Sequence, residues 1–117
     1  MSQNSSLERR RSAAVAPGLA GKSVYVSRAL NSEVWDVDGR RYIDLTAGIA
    51  VNNTGHRHPV VMSAVAKQAE AFTHTCFNVG PFEGYIRLCE QLNDFVDTGE
   101  MNRSICFTTG AEAVENA

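Results

Sequence analysis

Two residues, Asp38-Gly39, constrain this chain more than any others. They stand between two runs that alternate apolar with polar side chains, Glu33-Val34-Trp35-Asp36-Val37 and Arg40-Arg41-Tyr42-Ile43-Asp44-Leu45. Asp-Gly in that setting signals a hairpin, since a two-residue type I′ turn needs positive φ at both central positions. Counting outward from such a turn places Val37 opposite Arg40, Asp36 opposite Arg41, Trp35 opposite Tyr42 and Val34 opposite Ile43. One face would then carry an aromatic pair and the other an ion pair, contacts worth roughly 0.2–1 kcal/mol each. Val24 and Val26 alternate with Tyr25 and Ser27 upstream, so the region predicts an antiparallel meander over 24–29, 33–37 and 40–45.

Before the meander, residues 1–23 are rich in Ser, Gln, Asn, Arg, Ala and Gly and predict a flexible arm with a short helix over Ser5 to Ala14, stopped by Pro17-Gly18. Arg9-Arg10-Arg11 invites a twin-arginine export reading, but the stretch behind it is short and broken by Pro17-Gly18, and a solvated helix accounts for the charges. Beyond the meander, 46–58 has small residues, two glycines and no sustained period, which predicts a loop with close backbone approaches. Pro59 suits a first helical turn, and Val61, Val65, Gln68/Ala69 and Phe72 extend an amphipathic helix over 59–72. Phe82, Tyr85, Ile86, Cys89, Leu92 and Val96 predict a second over 82–96. Ser104-Ile105-Cys106-Phe107-Thr108-Thr109 lacks polar alternation, as expected of a strand buried on both faces of a parallel sheet, and passes into the helix-forming Gly110-Ala111-Glu112-Ala113-Val114-Glu115-Asn116-Ala117. Strand, tight turn and helix start make half of a βαβ unit, and the fold class expected is α/β.

Composition narrows the function classes. With 117 residues, 11 Lys+Arg against 13 Asp+Glu and 44% hydrophobic content, the chain has the make-up of one globular domain, not of a disordered tail. A net charge of −2 gives no bulk electrostatic case for nucleic acid or an acidic membrane surface. The longest apolar run, Ala47 to Val51, is far short of the roughly 18–20 residues a membrane span needs. Cys76, Cys89 and Cys106 form an odd set without C-x-x-C spacing, so a reducing, cytoplasmic setting is expected. Cys89, on the helical stripe, and Cys106, in the predicted strand, read as core thiols, which leaves Cys76 as the cysteine available to a site.

Two local patterns carry possible chemistry. Thr109-Gly110-Ala111-Glu112 fits a capping box, which explains the Thr and the Glu without any ligand. It explains Gly110 less well. A residue without Cβ at the first helical position lets an anionic group approach amides at the positive end of the helix dipole, so the corner is a candidate phosphate site. His56, His58, His74 and Cys76 could instead serve a small metal-binding module, although their spacing is poor for a structural zinc site and loop hydrogen bonding explains the histidines as well.

The segments Trp35 to Leu45, Gly48 to Pro59, His74-Thr75-Cys76-Phe77 and Thr108 to Ala117, in that order, together resemble the N-terminal part of class III pyridoxal-phosphate-dependent aminotransferases. The similarity is greatest to members acting on 4-aminobutyrate and covers nearly the whole chain from about residue 24. It implies a fold-type I transferase of which this is the N-terminal part: an arm over 1–23, the antiparallel meander of a small domain over 24–58, and the helices and first strand of a large cofactor domain over 59–117. It implies a cytoplasmic homodimer that moves an amino group from an ω-amino acid to 2-oxoglutarate; ornithine, acetylornithine, diaminobutyrate and β-alanine are alternative donors within the family. The turn matching Gly110 and Ala111 would hold the phosphate of pyridoxal 5′-phosphate through backbone amides. Many relatives have Ser or Thr where this chain has Ala111, so here a hydroxyl contact is lost. Ile49 matches a residue lining the substrate pocket, and Cys76 a loop beside it. The family's chemistry also needs a Schiff-base lysine. Lys22 and Lys67, the chain's two lysines, do not match that position, which is expected beyond Ala117, so the fragment by itself is expected to be inactive and short of partners for its last strand.

Overall fold

A computed structural model describes residues 2–18, 21, 23–99 and 102–117. Its backbone separates into two units, Met1–Ala71 and Phe72–Ala117.

The first unit is organised by the hairpin. Strands β1 (Val26–Leu30), β2 (Glu33–Asp36) and β3 (Arg41–Ile43) form the expected antiparallel meander in the order β1-β2-β3. The connection between β2 and β3, however, is not a two-residue type I′ turn. Positive φ occurs at Gly39 (+82°) and not at Asp38, and the loop is closed by Asp36 N donating to Arg40 O and Gly39 N donating to Asp36 O, each at 3.0 Å. Three residues therefore make the turn, with glycine in the left-handed position that closes such a loop. The register moves by one: Trp35 faces Arg41, Val34 faces Tyr42 and Glu33 faces Ile43. A slip of one residue exchanges the faces of every side chain, so neither expected pair forms. Arg28, on β1, places its guanidinium 3.7 Å from the centre of the Trp35 ring. Arg41 pairs with Glu33 at 2.7 Å instead of with Asp36.

Asp36 is the reason the longer turn wins. It is 1% exposed, and its carboxylate accepts from the Arg40 amide (2.9 Å), the Asp38 amide (3.0 Å), the Tyr42 hydroxyl (3.0 Å) and Asn4 Nδ2 (2.9 Å). A buried charge is tolerated only when it is hydrogen-bonded on this scale. Burial works against ionisation, but the Arg40 amide and then the Asn4, Tyr42 and Asp38 donors outweigh it and hold the carboxyl below its ordinary range.

Helix α1 (Gln3–Ala14) brings Asn4 to this cluster. It begins two residues earlier than expected, with Ser2 as N-cap, and it is tied to the hairpin instead of trailing freely. Asp38 Oδ1 accepts from the Gln3 amide at 2.6 Å and Asp38 Oδ2 from Asn4 Nδ2 at 2.8 Å, so a turn residue supplies the negative charge a helix N-terminus favours. Tyr25 donates from its hydroxyl to Glu8 at 2.7 Å and from its amide to Asn4 Oδ1 at 2.9 Å. In β1, Ser27 forms a bulge and bonds the Trp35 and Asp36 carbonyls through its hydroxyl. Beyond β3 come a one-turn segment α2 (Ala47–Ala50) and helix α3 (Pro59–Ala71), which matches the predicted span.

The second unit contains α4 (Glu83–Phe95), close to the predicted 82–96, and α5 (Gly110–Glu115). Phe72, Phe77, Phe82 and Tyr85 form an aromatic cluster, edge-on at three contacts and tilted between Phe77 and Tyr85, with ring centres 4.4–6.4 Å apart. The strand expected over 104–109 is not formed. No neighbouring strand supplies a ladder among the described residues, the Cys106 amide donates instead to the Tyr85 hydroxyl (2.9 Å), and Ile105 is exposed. Cys106 is therefore an exposed thiol and Cys89 a half-buried one, neither in a core. Among the described residues no apolar side chain is fully buried.

The turn geometry can be checked at Gly39. A Cβ there would meet no atom within 4 Å, so the whole cost of Gly39→Ala is conformational, about 1–2 kcal/mol for a left-handed non-glycine residue. Hydrogen exchange at the Asp36 and Gly39 amides should become about tenfold faster. An unchanged rate would mean that the turn is not the three-residue form.

Candidate functional site

The segment after β3 presents Ile49 in a conformation that L-residues avoid. Ala47, Gly48, Ile49 and Ala50 have φ of +46°, +64°, +62° and +62°, so α2 is a left-handed turn. Such backbone costs roughly 1–2 kcal/mol at each non-glycine residue, and most for a β-branched one. It therefore persists only where neighbours impose it. Here the imposing group is Asp44. Its Oδ1 accepts from the Thr46 hydroxyl (2.7 Å), the Thr46 amide (3.1 Å) and the Ala47 amide (3.0 Å). Its Oδ2 meets His56 Nε2 at 2.7 Å, with the two side chains 11% and 22% exposed. Within the turn, Ala50 N donates to Thr46 O, and both Val51 N and Asn52 N donate to Ala47 O. The Ile49 side chain is 91% exposed at the tip.

The hydrogen bond from His56, then that from the Thr46 hydroxyl, pull the Asp44 carboxyl down to about 2; burial opposes them, and the Ala47 and Thr46 amides add to the pull. His56 was legible in the sequence only as a loop or metal histidine. Its partnership with Asp44, twelve residues away, had no local signal. Among the described residues no group of three or more His, Cys, Asp or Glu side chains could hold a metal ion. His58 closes the loop by accepting the Met62 amide on its carbonyl at the start of α3, while its Nδ1 is enclosed with no hydrogen-bond partner among the described residues.

In the second unit, Cys76 is exposed and has φ of +53°, with its carbonyl accepting from the Val79 and Gly80 amides at 2.9 Å each. The capping box at the start of α5 is complete: Thr109 Oγ1 accepts from the Glu112 amide (3.2 Å) and Glu112 Oε2 accepts from the Thr109 amide (3.0 Å). Gly110 and Ala111 follow in the first turn, where a helix leaves its N–H groups without intrahelical partners. A Cβ built on Gly110 would meet nothing within 4 Å. Packing among the described residues thus does not demand the glycine. Lys67, on α3, is exposed, and Lys22 lies outside the described residues.

Comparison with known proteins places the chain in a family. Residues 15–117 match the pattern of the class III aminotransferases. A 4-aminobutyrate aminotransferase of Escherichia coli is 46% identical over 100% of the chain and 28% of its own length. A 5-aminovalerate aminotransferase of Pseudomonas aeruginosa is 49% identical over 97% of the chain and 27% of its own length. The solved ornithine aminotransferase of Toxoplasma gondii superposes with a TM-score of 0.85 at 28% identity, over 99% of this chain and 26% of that one. The chain thus spans about a quarter of the length of the relatives it matches.

The Asp44 environment makes a pH prediction. A carboxyl whose folded pKa is depressed contributes stability above its unfolded value, and that contribution is lost as pH falls through the folded value. The Asp44 carboxyl carbon, followed by NMR, should titrate with a midpoint near 2, and His56→Ala should move it up towards 3.8. An ordinary midpoint in the unsubstituted protein would contradict the described hydrogen bonds.

Proposed function

The chain belongs to the class III aminotransferases, and on that premise we propose that the complete protein transfers the amino group of 4-aminobutyrate to 2-oxoglutarate, giving succinate semialdehyde and glutamate. The observation that carries the reading to this chain's residues is the Gly110 corner: a finished capping box followed by a residue without Cβ, at a position where a Cβ would meet no other side chain among the described residues. The family depends on pyridoxal 5′-phosphate, and this corner fits its phosphate. The Gly110 and Ala111 amides would bind the phosphate oxygens, helped by the dipole of α5. Ala111 offers an amide and no hydroxyl, so the grip rests on backbone alone. Bound there, the cofactor supplies the electron sink that lets nitrogen pass from one carbon skeleton to another.

Ile49 and Cys76 would line the substrate pocket. An exposed isoleucine at the tip of a braced turn offers the apolar wall that a run of methylene groups favours. Residues 24–58 would belong to the small domain and 59–117 to the start of the large one, in a cytoplasmic homodimer. No helix among the described residues is long and apolar enough to cross a membrane. No residue of 1–117 is assigned the covalent step, because Lys67 stands exposed on a helix and Lys22 does not match the family's lysine. The 117-residue chain alone would therefore not transaminate. A five-carbon ω-amino donor is the second reading, supported by 49% identity to the 5-aminovalerate enzyme.

Two measurements test this. Borohydride reduction of the protein expressed from the extended reading frame, with cofactor present, should label a lysine beyond Ala117; labelling of Lys22 or Lys67 would overturn the assignment. Gly110→Ala should weaken cofactor retention about tenfold, roughly 1.4 kcal/mol, without lowering the thermal stability of the cofactor-free protein. Unchanged retention would place the phosphate elsewhere.

A further inference from the structure

Ile49 has no means of its own to hold a left-handed conformation. The bonds around it run in sequence from the β1–β2 connection to the turn. Asn31 N donates to His56 O (3.0 Å) and His56 N to Asn31 O (2.8 Å), a bridge close enough that a Cβ on Gly55 would lie 3.1 Å from Asn31 Cα. The backbone of His56 is thereby anchored to the meander. Its ring meets Asp44 Oδ2, and Asp44 is itself anchored by its amide donating to Ser32 O at 2.8 Å. The other carboxylate oxygen grips Thr46 and Ala47, the residues that lead into the left-handed stretch.

We propose that Asp44 and His56 form a positioning pair that sets where Ile49 stands, and that the pair thereby helps decide the chain length of the amino donor the enzyme accepts. The division of labour is chemical. A carboxylate with one oxygen on the turn and no partner on the other would rotate about its χ2 bond; the imidazole removes that freedom. The turn then holds Ile49 in one position. A pocket wall in a fixed position discriminates between donors that differ by one methylene, for which a single apolar contact is worth about 10-fold or more. This inference rests on the reading that Ile49 lines the donor site.

The test uses the full-length, cofactor-loaded protein with 4-aminobutyrate and 5-aminovalerate as donors and 2-oxoglutarate as acceptor. His56→Ala should change the ratio of kcat/KM between the two donors about tenfold, mainly through donor KM, with the KM for 2-oxoglutarate unchanged. His56→Gln, which keeps an N–H donor for Asp44, should restore most of the ratio. Ile49→Ala should also shift the ratio, and adding His56→Ala to it should do nothing more, as expected of residues acting through one another. If His56→Ala does not fold, Asp44→Asn takes its place in the same cycle, the ratio again expected to move in the direction of Ile49→Ala. A uniform loss on both donors with an unchanged ratio would mean that the pair is merely structural and would overturn the proposal. The Ile49 methyl resonances separate the two levels of the argument. If they shift in His56→Ala while Ile49→Ala leaves the ratio unchanged, the pair positions Ile49 but Ile49 does not face the donor, and the specificity claim falls with that reading. If they do not shift, the positioning claim itself fails.

Discussion

A single carboxylate out of water organises the hairpin and ties the first helix to it. Asp36 has to satisfy its oxygens inside the hairpin, and it does so with the amides of Asp38 and Arg40, which only a three-residue turn brings within reach. From that turn follows the register of β2 against β3, and from the register follows which side of the sheet each later residue occupies. Asp44 leaves β3 in the phase that lets its amide reach Ser32 and its carboxylate reach His56. The geometry that presents Ile49 is therefore set thirteen residues earlier, by the solvation requirement of Asp36.

The dominance of polar contacts has a physical basis. Among the described residues no apolar side chain is fully buried, and these residues span about a quarter of the length of their relatives, so the contacts that are complete within them are the polar ones. Hydrogen bonds, each worth about 1 kcal/mol net, define the local structure within these residues. They cluster accordingly, around Asp36 and Asp38, around Asp44, and at the cap of α5. The apolar stripes remain on display: Val61 and Val65 on α3, Ile86 and Leu92 on α4, and Ile105 in the extended segment ahead of α5 are all exposed.

The candidate site was unevenly legible for the same reason. The corner at Gly110 could be read from four adjacent letters, because a capping box depends on i to i+3 spacing and on nothing outside the turn. Helices α3 and α4 were readable because a period of 3.6 survives in the sequence whether or not the face is covered. The Asp44–His56 pair had no such trace. Its members are twelve residues apart, and a histidine between glycine and arginine suits a loop, a ligand or an ion pair equally well. Ile49 was identified by resemblance, and nothing in Ala47-Gly48-Ile49-Ala50 foretells left-handed backbone at three non-glycine residues.

Local chemistry settled what needs only neighbours in the chain: the helices, the three strands of the meander, the cap at Thr109 and the family motifs. Tertiary contact settled what depends on partners distant in sequence. Asp38 reads as a turn residue, yet its carboxylate also caps α1, because the hairpin and the arm meet there. Ser104 to Thr109 reads as a strand, yet it forms none, because strand propensity becomes a strand only when another backbone supplies the ladder, and among the described residues none does. Hydrogen-bond partners across the fold, not propensity, made both decisions.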